Sequence, residues 1–443
     1  MKKNYESMRT VCRNFNFEPY DDFEYEELII PDDRFAQSEM LIARNCRYSL
    51  DDAKTRLNNN VLIVGGSGTG KTSTIVIPNL RQAVGSYIVS DPKGNLCKKY
   101  GKYLCKQGYE VYNIDFTKPE NSAHYNPLRF IRTTQDILNI ASVITNEKAS
   151  VGTKADPFWD SMTIILLSAI IGYMLETNFK PFNFSGILRL VREGERIEDD
   201  SKDSRLSHRF RDLKMQNPDS WACAQFSDVD QAPNKTYDCI RATLSSKLSK
   251  FDTEELQMMM SGNDFTFASI GSVKKAVFVT VSDTDRSMDS LANIFFTQAM
   301  HQLCRFADET ENSRLPVPVR FILDDFATNC RIEEFPRMIS SIRSRGISVM
   351  LMIQSEAQLS QSYDADRMTI IANCDTYVYL GGNDYDTAEA VGMRCNKPAW
   401  QVLYMPVGSC WVFRRGSQPV FTEILPPDSR EMPEREPPIC VEP

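Results

Sequence analysis

Four consecutive apolar residues, Val61, Leu62, Ile63 and Val64, run straight into a glycine-rich stretch. The pattern predicts a strand buried on both faces and then a tight loop. Similar short apolar runs recur at residues 86–90 (SYIVS), 110–115 (EVYNID), 275–282 (KAVFVTVS), 319–326 (VRFILDDF), 348–355 (SVMLMIQS) and 376–381 (TYVYLG). From about 156 to 262 such runs stop, and helix-like stretches take over at 159–176, 184–193, 206–215 and 234–251. The chain therefore predicts an α/β sheet interrupted by a predominantly helical block. Residues 34–59 read as helical and polar. After Thr72 a helix should run to Pro78-Asn79, where the proline bends or ends it. Residues 333–346 predict another helix just ahead of the 348–355 strand.

These patterns divide the chain into an acidic, aromatic lead (1–50), the first part of an α/β domain (51–153), an all-α insert (154–263), the second part of the α/β domain (264–425) and a proline-rich acidic tail (426–443) whose composition predicts disorder. The most apolar segment, 162–175 (MTIILLSAIIGYML), falls short of the roughly 20 residues a spanning helix needs and reads as a buried helix. Behind the two N-terminal lysines no apolar stretch of the secretory type follows.

Composition changes little in this picture. The chain has 443 residues, 42% hydrophobic and 25% charged, as in ordinary globular proteins, and a net charge of −8 that argues against a surface basic all over. Its twelve cysteines lie singly, a pattern that suits reduced thiols, and its three histidines are too far apart to suggest a zinc site. Lys98, Lys99, Lys102 and Lys106 fall at helical spacing. Such a run is a solvated face unless a ring of subunits turns it into a nucleic-acid lining.

The chemistry begins at Gly65-Gly66-Ser67-Gly68-Thr69-Gly70-Lys71-Thr72, which fits the phosphate-binding loop G-x-x-x-x-G-K-[ST]. Glycines let the backbone curl into an anion nest that opens onto a helix N-terminus. Lys71 would reach the β- and γ-phosphates of the nucleotide, and the Thr72 hydroxyl would ligate Mg²⁺. Downstream, the apolar strand 321–323 ends in Asp324 and Asp325. This is the form of a Walker B strand, in which the first acid holds the metal shell and the second polarises the attacking water. Arg343 is either an arginine finger for a neighbouring subunit's γ-phosphate or, with Arg345, a basic helix end complementing the macrodipole. Gln354, at a strand end beside Walker B, is either a γ-phosphate sensor or an ordinary strand-end residue. Asp91 and Lys93 either reach the ligand edge, from a strand taken to lie next to the P-loop strand, or form an Asp-Pro turn.

Taken together, GGSGTGKT (65–72), SDPKG (90–94), YNPL (125–128), DPFW (156–159), ILDDFATN (322–329) and IRSRGISVMLMIQSEAQL (342–359) resemble the type IV secretion coupling proteins, the VirD4/TraG group of conjugation ATPases. The resemblance covers about residues 55–415. It implies a RecA-like (FtsK/HerA-type) P-loop NTPase domain with an inserted all-α domain, using ATP and Mg²⁺. Walker A roles would fall to Lys71 and Thr72, Walker B roles to Asp324 and Asp325, the trans-acting arginine to Arg343 and the sensor glutamine to Gln354. It further implies a homo-hexamer that recruits a relaxase bound to single-stranded DNA and passes it to type IV secretion channel components. Another FtsK/HerA-like DNA translocase, or a nucleotide-dependent adaptor with little hydrolysis, is the alternative.

Two departures stand out. The family usually has Glu where Asp325 stands, and it usually starts with transmembrane helices. A truncated chain, or a form docking through its acidic lead onto a separate membrane protein at the inner face of the membrane, would account for the second.

Overall fold

In the computed structural model, residues 35–145, 157–197, 202–282, 284–326 and 330–426 are described. Residues 1–34 of the acidic lead, the tail beyond residue 426, Asp156 of DPFW and residues 327–329 after the acid pair lie outside them. Eleven strands are present among these residues: β1 (Glu39–Ala43), β2 (Cys46–Ser49), β3 (Val61–Val64), β4 (Ser86–Ser90), β5 (Glu110–Asp115), β6 (Lys275–Thr280), β7 (Val319–Leu323), β8 (Ile347–Ile353), β9 (Thr376–Tyr379), β10 (Ser409–Arg414) and β11 (Val420–Glu423). Nine of them form one sheet in the order β11-β10-β9-β3-β8-β7-β4-β6-β5, with β9 through β5 parallel.

The period-2 geometry of strands sends alternate side chains to opposite faces, and two cores result. Leu62, Val64, Ile88, Phe321, Leu323, Val349 and Leu351 face the core shared with the helical block. Val61, Ile63, Val89, Ile322, Met350 and Met352 face the other, which holds the P-loop helix and the β1–β2 hairpin. Because both faces are covered, β3, β7 and β8 are buried throughout, hence their apolar runs, broken only by the buried Arg320 and Ser348.

The helical block stands between β5 and β6, as the patterning predicted. It includes Thr134–Thr145, Pro157–Glu176, Phe184–Glu193, Arg205–Gln216, Trp221–Asp230 and Asn234–Ser249. Its two connecting segments are stitched together. His124 N donates to Asp264 Oδ2 (2.7 Å), Asp264 N donates back to His124 O (3.2 Å), and Asn126 N donates to Asn263 Oδ1 (2.6 Å). The apolar segment belongs to the 20-residue helix Pro157–Glu176, longer than its most apolar stretch suggested. By length and composition Phe158–Glu176 could cross a membrane, yet Leu166, Leu167, Ile170, Ile171 and Met174 are completely buried in the protein core.

Several expectations need correction. Residues 34–59 are not helical: 39–49 form the β1–β2 hairpin, and only Asp52–Thr55 is a single helical turn. Met40 and Ile42 alternate into the core beneath the P-loop helix, and that burial outweighs local propensity. Pro78 does not end the helix that follows Thr72. Its first turn, Lys71–Val76, is wound as a π-helix, with Ile77 N donating to Thr72 O, and the helix continues as Ile77–Arg81. The wider turn makes room for a ring that would otherwise crowd a carbonyl one turn back. Residues 333–346 hold only the short helix Phe335–Met338, with Pro336 in its first turn, and then turns. The strand 86–90 is not beside the P-loop strand, because β8 and β7 intervene. Finally, β10 and β11 extend the sheet antiparallel from β9, where no strand was predicted.

Candidate nucleotide-binding site

The P-loop leaves the carboxyl end of β3, between β8 and β9. Gly65 N donates to Ile353 O at the end of β8 (3.1 Å), and Gly66 N donates to Gly381 O just past β9 (2.9 Å). Gly68 (φ +78°) and Gly70 (φ +90°) take left-handed conformations that a side chain would strain, and so curl the backbone into its nest. Lys71 is buried and folds over the loop, donating from Nζ to Gly65 O (2.6 Å) and Gly66 O (3.1 Å). Burial pushes its ammonium below the ordinary lysine value, and the negative charges of Asp325 and Asp324 oppose this.

Asp324 and Asp325 follow β7 directly. The Thr72 hydroxyl donates to Asp324 Oδ2 over 2.7 Å, joining the two halves of the motif across 252 residues of chain. Burial raises the Asp324 carboxyl above the usual carboxylate value. The Thr72 hydrogen bond works against this shift, and the Asp325 charge adds to it. One hydroxyl and one carboxylate are hard oxygen ligands of the kind Mg²⁺ takes together with nucleotide phosphates. Among the described residues no group of three or more His, Cys, Asp or Glu could hold a metal by itself. Asp325 has φ +50°, uncommon for a residue with a side chain, and its N–H donates to Asp324 Oδ1 (3.1 Å). Gln354, at the end of β8, points Nε2 at Asp325 Oδ1 over 3.5 Å.

The other candidates separate. Arg343 precedes β8, whose seven residues span roughly 23 Å, so it stands at the opposite edge of the sheet from its own P-loop. There it donates to Asp52 O (2.7 Å), beside Arg314, which forks onto the Asp52 carboxylate (2.9 and 3.1 Å). Arg345 is tied to Asp308 by two hydrogen bonds (2.8 and 2.9 Å). Asp91 is buried and caps the helix Asn95–Lys106, accepting from Asn95 N (3.1 Å) and Cys97 N (2.9 Å). Asp91 thus holds the turn and the start of that helix at the carboxyl end of β4, where it also feels the charge of Asp324. On that helix Leu96, Tyr100 and Leu104 face the core, while Lys98, Lys99, Lys102 and Lys106 are exposed.

Sequence reasoning missed the part played by Gly381 and Gly382. Gly381 (φ +93°) offers its carbonyl to the loop, and a Cβ on Gly66 would meet Gly382 Cα at 3.7 Å. The signal was present as two glycines straight after an apolar strand.

A phosphate loop beside the acid-bearing β7–β8 pair, with β9 on its other flank, defines a RecA-like P-loop NTPase fold carrying a helical insert. Residues 21–400 match the family described as Type IV secretory system Conjugative DNA transfer, and the chain belongs to that family. It is 22% identical over 347 residues to the protein VirD4 of Rhizobium rhizogenes, covering 77% of this chain and 50% of that one. Identity is 21% over 346 residues to a probable conjugal transfer protein TraG of Sinorhizobium fredii, covering 75% and 52%. The chain thus spans about half the length of the curated relatives it matches. Among solved structures, the plasmid coupling protein TrwB in complex with the ATP analogue ADPNP superposes with a TM-score of 0.62 at 16% identity, covering 96% of this chain and 98% of that one. TrwB in complex with ADP and Mg²⁺ gives 0.60 at 17% identity, covering 88% and 89%.

Proposed function

We propose that this chain is an ATP-hydrolysing coupling protein of conjugative DNA transfer. The observation that carries the reading is the meeting of Lys71, Thr72, Asp324, Asp325 and Gln354 at one sheet edge. Family membership and the nucleotide complexes of TrwB support it. The loop N–H groups of residues 65–72 hold the phosphates, and Lys71 swings from its loop carbonyls to the β- and γ-phosphates. Thr72 and Asp324 hold Mg²⁺, which supplies neutralisation of charge developing on the transferred phosphoryl group. Asp325 takes the proton of the attacking water, and Gln354 orients that water. Arg343 serves a neighbouring subunit of a homo-hexamer, since its own loop lies at the far edge.

In this reading the helical insert, residues 154–263, recruits a relaxase bound to single-stranded DNA. Hydrolysis then passes the substrate to type IV secretion channel components. The chain works at the inner face of the cell membrane through its partners. The test is Mg²⁺-dependent ATP hydrolysis by the purified chain, with and without single-stranded DNA, alongside transfer frequency in cells. Lys71→Ala should reduce both to background, and undiminished transfer would reject the motor.

A second reading, a nucleotide-dependent adaptor that hydrolyses little, draws on Asp325, a shorter acid than the family's usual Glu. Absence of DNA-stimulated turnover both in the natural chain and in Asp325→Glu would favour it.

A further inference from the structure

Antiparallel pairing of β10 with β9 sets Trp411 opposite Tyr379, so the loop that leads into β10, residues 404–408, returns to the sheet edge where the phosphate loop lies. It stands two strand positions from β3, about 10 Å away. A continuous line of contacts joins them. Gly66 N donates to Gly381 O (2.9 Å), and Met405 Sδ lies 3.8 Å from where a Cβ on Gly381 would sit. Beside Met405, Tyr404 is 81% exposed, and Val407 is completely open to solvent. Trp400, 57% exposed, sits one helical turn before Tyr404, whose N–H donates to Trp400 O (3.0 Å). The two aromatic side chains therefore share a helix face. Neither ring has an aromatic or cationic partner among the described residues, whereas Trp411 and Phe413 nearby are stacked.

Exposing two large rings and a valine at a ligand edge costs solubility and contributes nothing to the core. A planar π-system with one face free is what a nucleobase stacks on, tolerating any base because every base has a π-face. We propose that the 400–407 segment is the nucleobase subsite of the phosphate loop, with Tyr404 as the stacking platform and Met405 fixing the height of the loop above Gly381. The distance from β3 is one that the α-phosphate and ribose of a nucleotide would bridge. Recognition by stacking alone predicts weak discrimination between ATP and GTP.

This inference rests on nucleotide binding at residues 65–72, so the test uses two ligands. Calorimetric titration of the full chain with Mg²⁺-ATP and with inorganic tripolyphosphate separates base from phosphate contributions. Tyr404→Ala should weaken ATP about tenfold and leave tripolyphosphate unchanged, and Tyr404→Trp should keep ATP affinity. Equal loss for both ligands, or no loss for either, would overturn the subsite. So would a changed sedimentation profile with ATP affinity intact, which would make the patch a subunit contact. A wild-type chain that binds neither ligand overturns nucleotide binding itself, and the subsite with it.

Discussion

The Thr72 hydroxyl and the Asp324 carboxylate meet at 2.7 Å although they come from opposite sides of the helical insert. That contact joins the P-loop helix to the end of β7 and places both oxygens where one metal ion can use them. Replacing Asp324 with Ala should lower Mg²⁺-dependent turnover by about 100-fold or more, the scale of losing a metal's charge stabilisation. Steady-state hydrolysis measured across a Mg²⁺ titration checks this, and turnover near wild type would place the metal elsewhere.

Asp324 also makes stability depend on pH. Burial lifts its folded-state value above the unfolded one, so the folded chain favours the protonated form. For a raised acid, stability falls as pH rises from the unfolded value through the folded value. Asp324→Asn should therefore raise the melting temperature of nucleotide-free protein at neutral pH. The gain should vanish below that window, where both forms are neutral. Thermal melts from neutral to acidic pH provide the readout, and a gain that persists unchanged in acid would exclude this origin.

Asp325→Glu advances the carboxylate by about 1.5 Å, one carbon–carbon bond. That shortens the reach to Gln354, 3.5 Å here, so turnover should rise while ATP affinity stays unchanged. Asp325→Ala should bind ATP and hardly hydrolyse it. Single-turnover rates beside equilibrium binding distinguish the two effects.

Arg343 is too far from its own Gly65–Thr72 loop to act there, and its guanidinium is parked on Asp52. Arg343→Ala should lower turnover about 1000-fold, the lower end for an arginine finger, without weakening ATP binding. Mixing Arg343→Ala with Lys71→Ala subunits should restore part of the lost activity, since each supplies what the other lacks. Mixtures as inactive as their components would rule out service in trans.

Asn79 ties the P-loop helix to the N-terminal hairpin. Its side chain accepts from Leu41 N (3.0 Å) and donates to Leu41 O (2.7 Å) and Ile75 O (2.8 Å), all from a completely buried position. Asn79→Ala strips partners from the Leu41 amide group and should cost about 2–3 kcal/mol. Urea unfolding gives that number directly.

The legible parts of this chain were local ones. That Lys71, Thr72, Asp324 and Asp325 come together was legible from their spacing at the ends of apolar strands, since a glycine-rich loop and an acid pair each follow directly on such a strand. The helical insert showed as a change of hydrophobic period. What stayed hidden depends on distant pairing. That β8, not β4, flanks the P-loop strand is decided by which crossovers pack, and no residue in SYIVS encodes it. The hairpin at 39–49 is held by burial under the P-loop helix, and β10 and β11 by pairing onto β9. Gly381 joins the loop only because β9 lies beside β3, so its glycine signal had no visible address.

The neck that ties His124 to Asp264 bears on the order in which the chain can fold. Lys275 on β6 lies beside Glu110 on β5, 165 residues apart in sequence, and pairing them from an open chain would mean closing a long loop against its entropy. Once the helices have folded and the neck is fastened, the same two strands are joined only through residues 116–123 and 265–274 on either side of it, a far shorter loop than the whole insert. The last edge of the sheet is thus expected to zip up after the insert, which shortens the loop that this closing step must span.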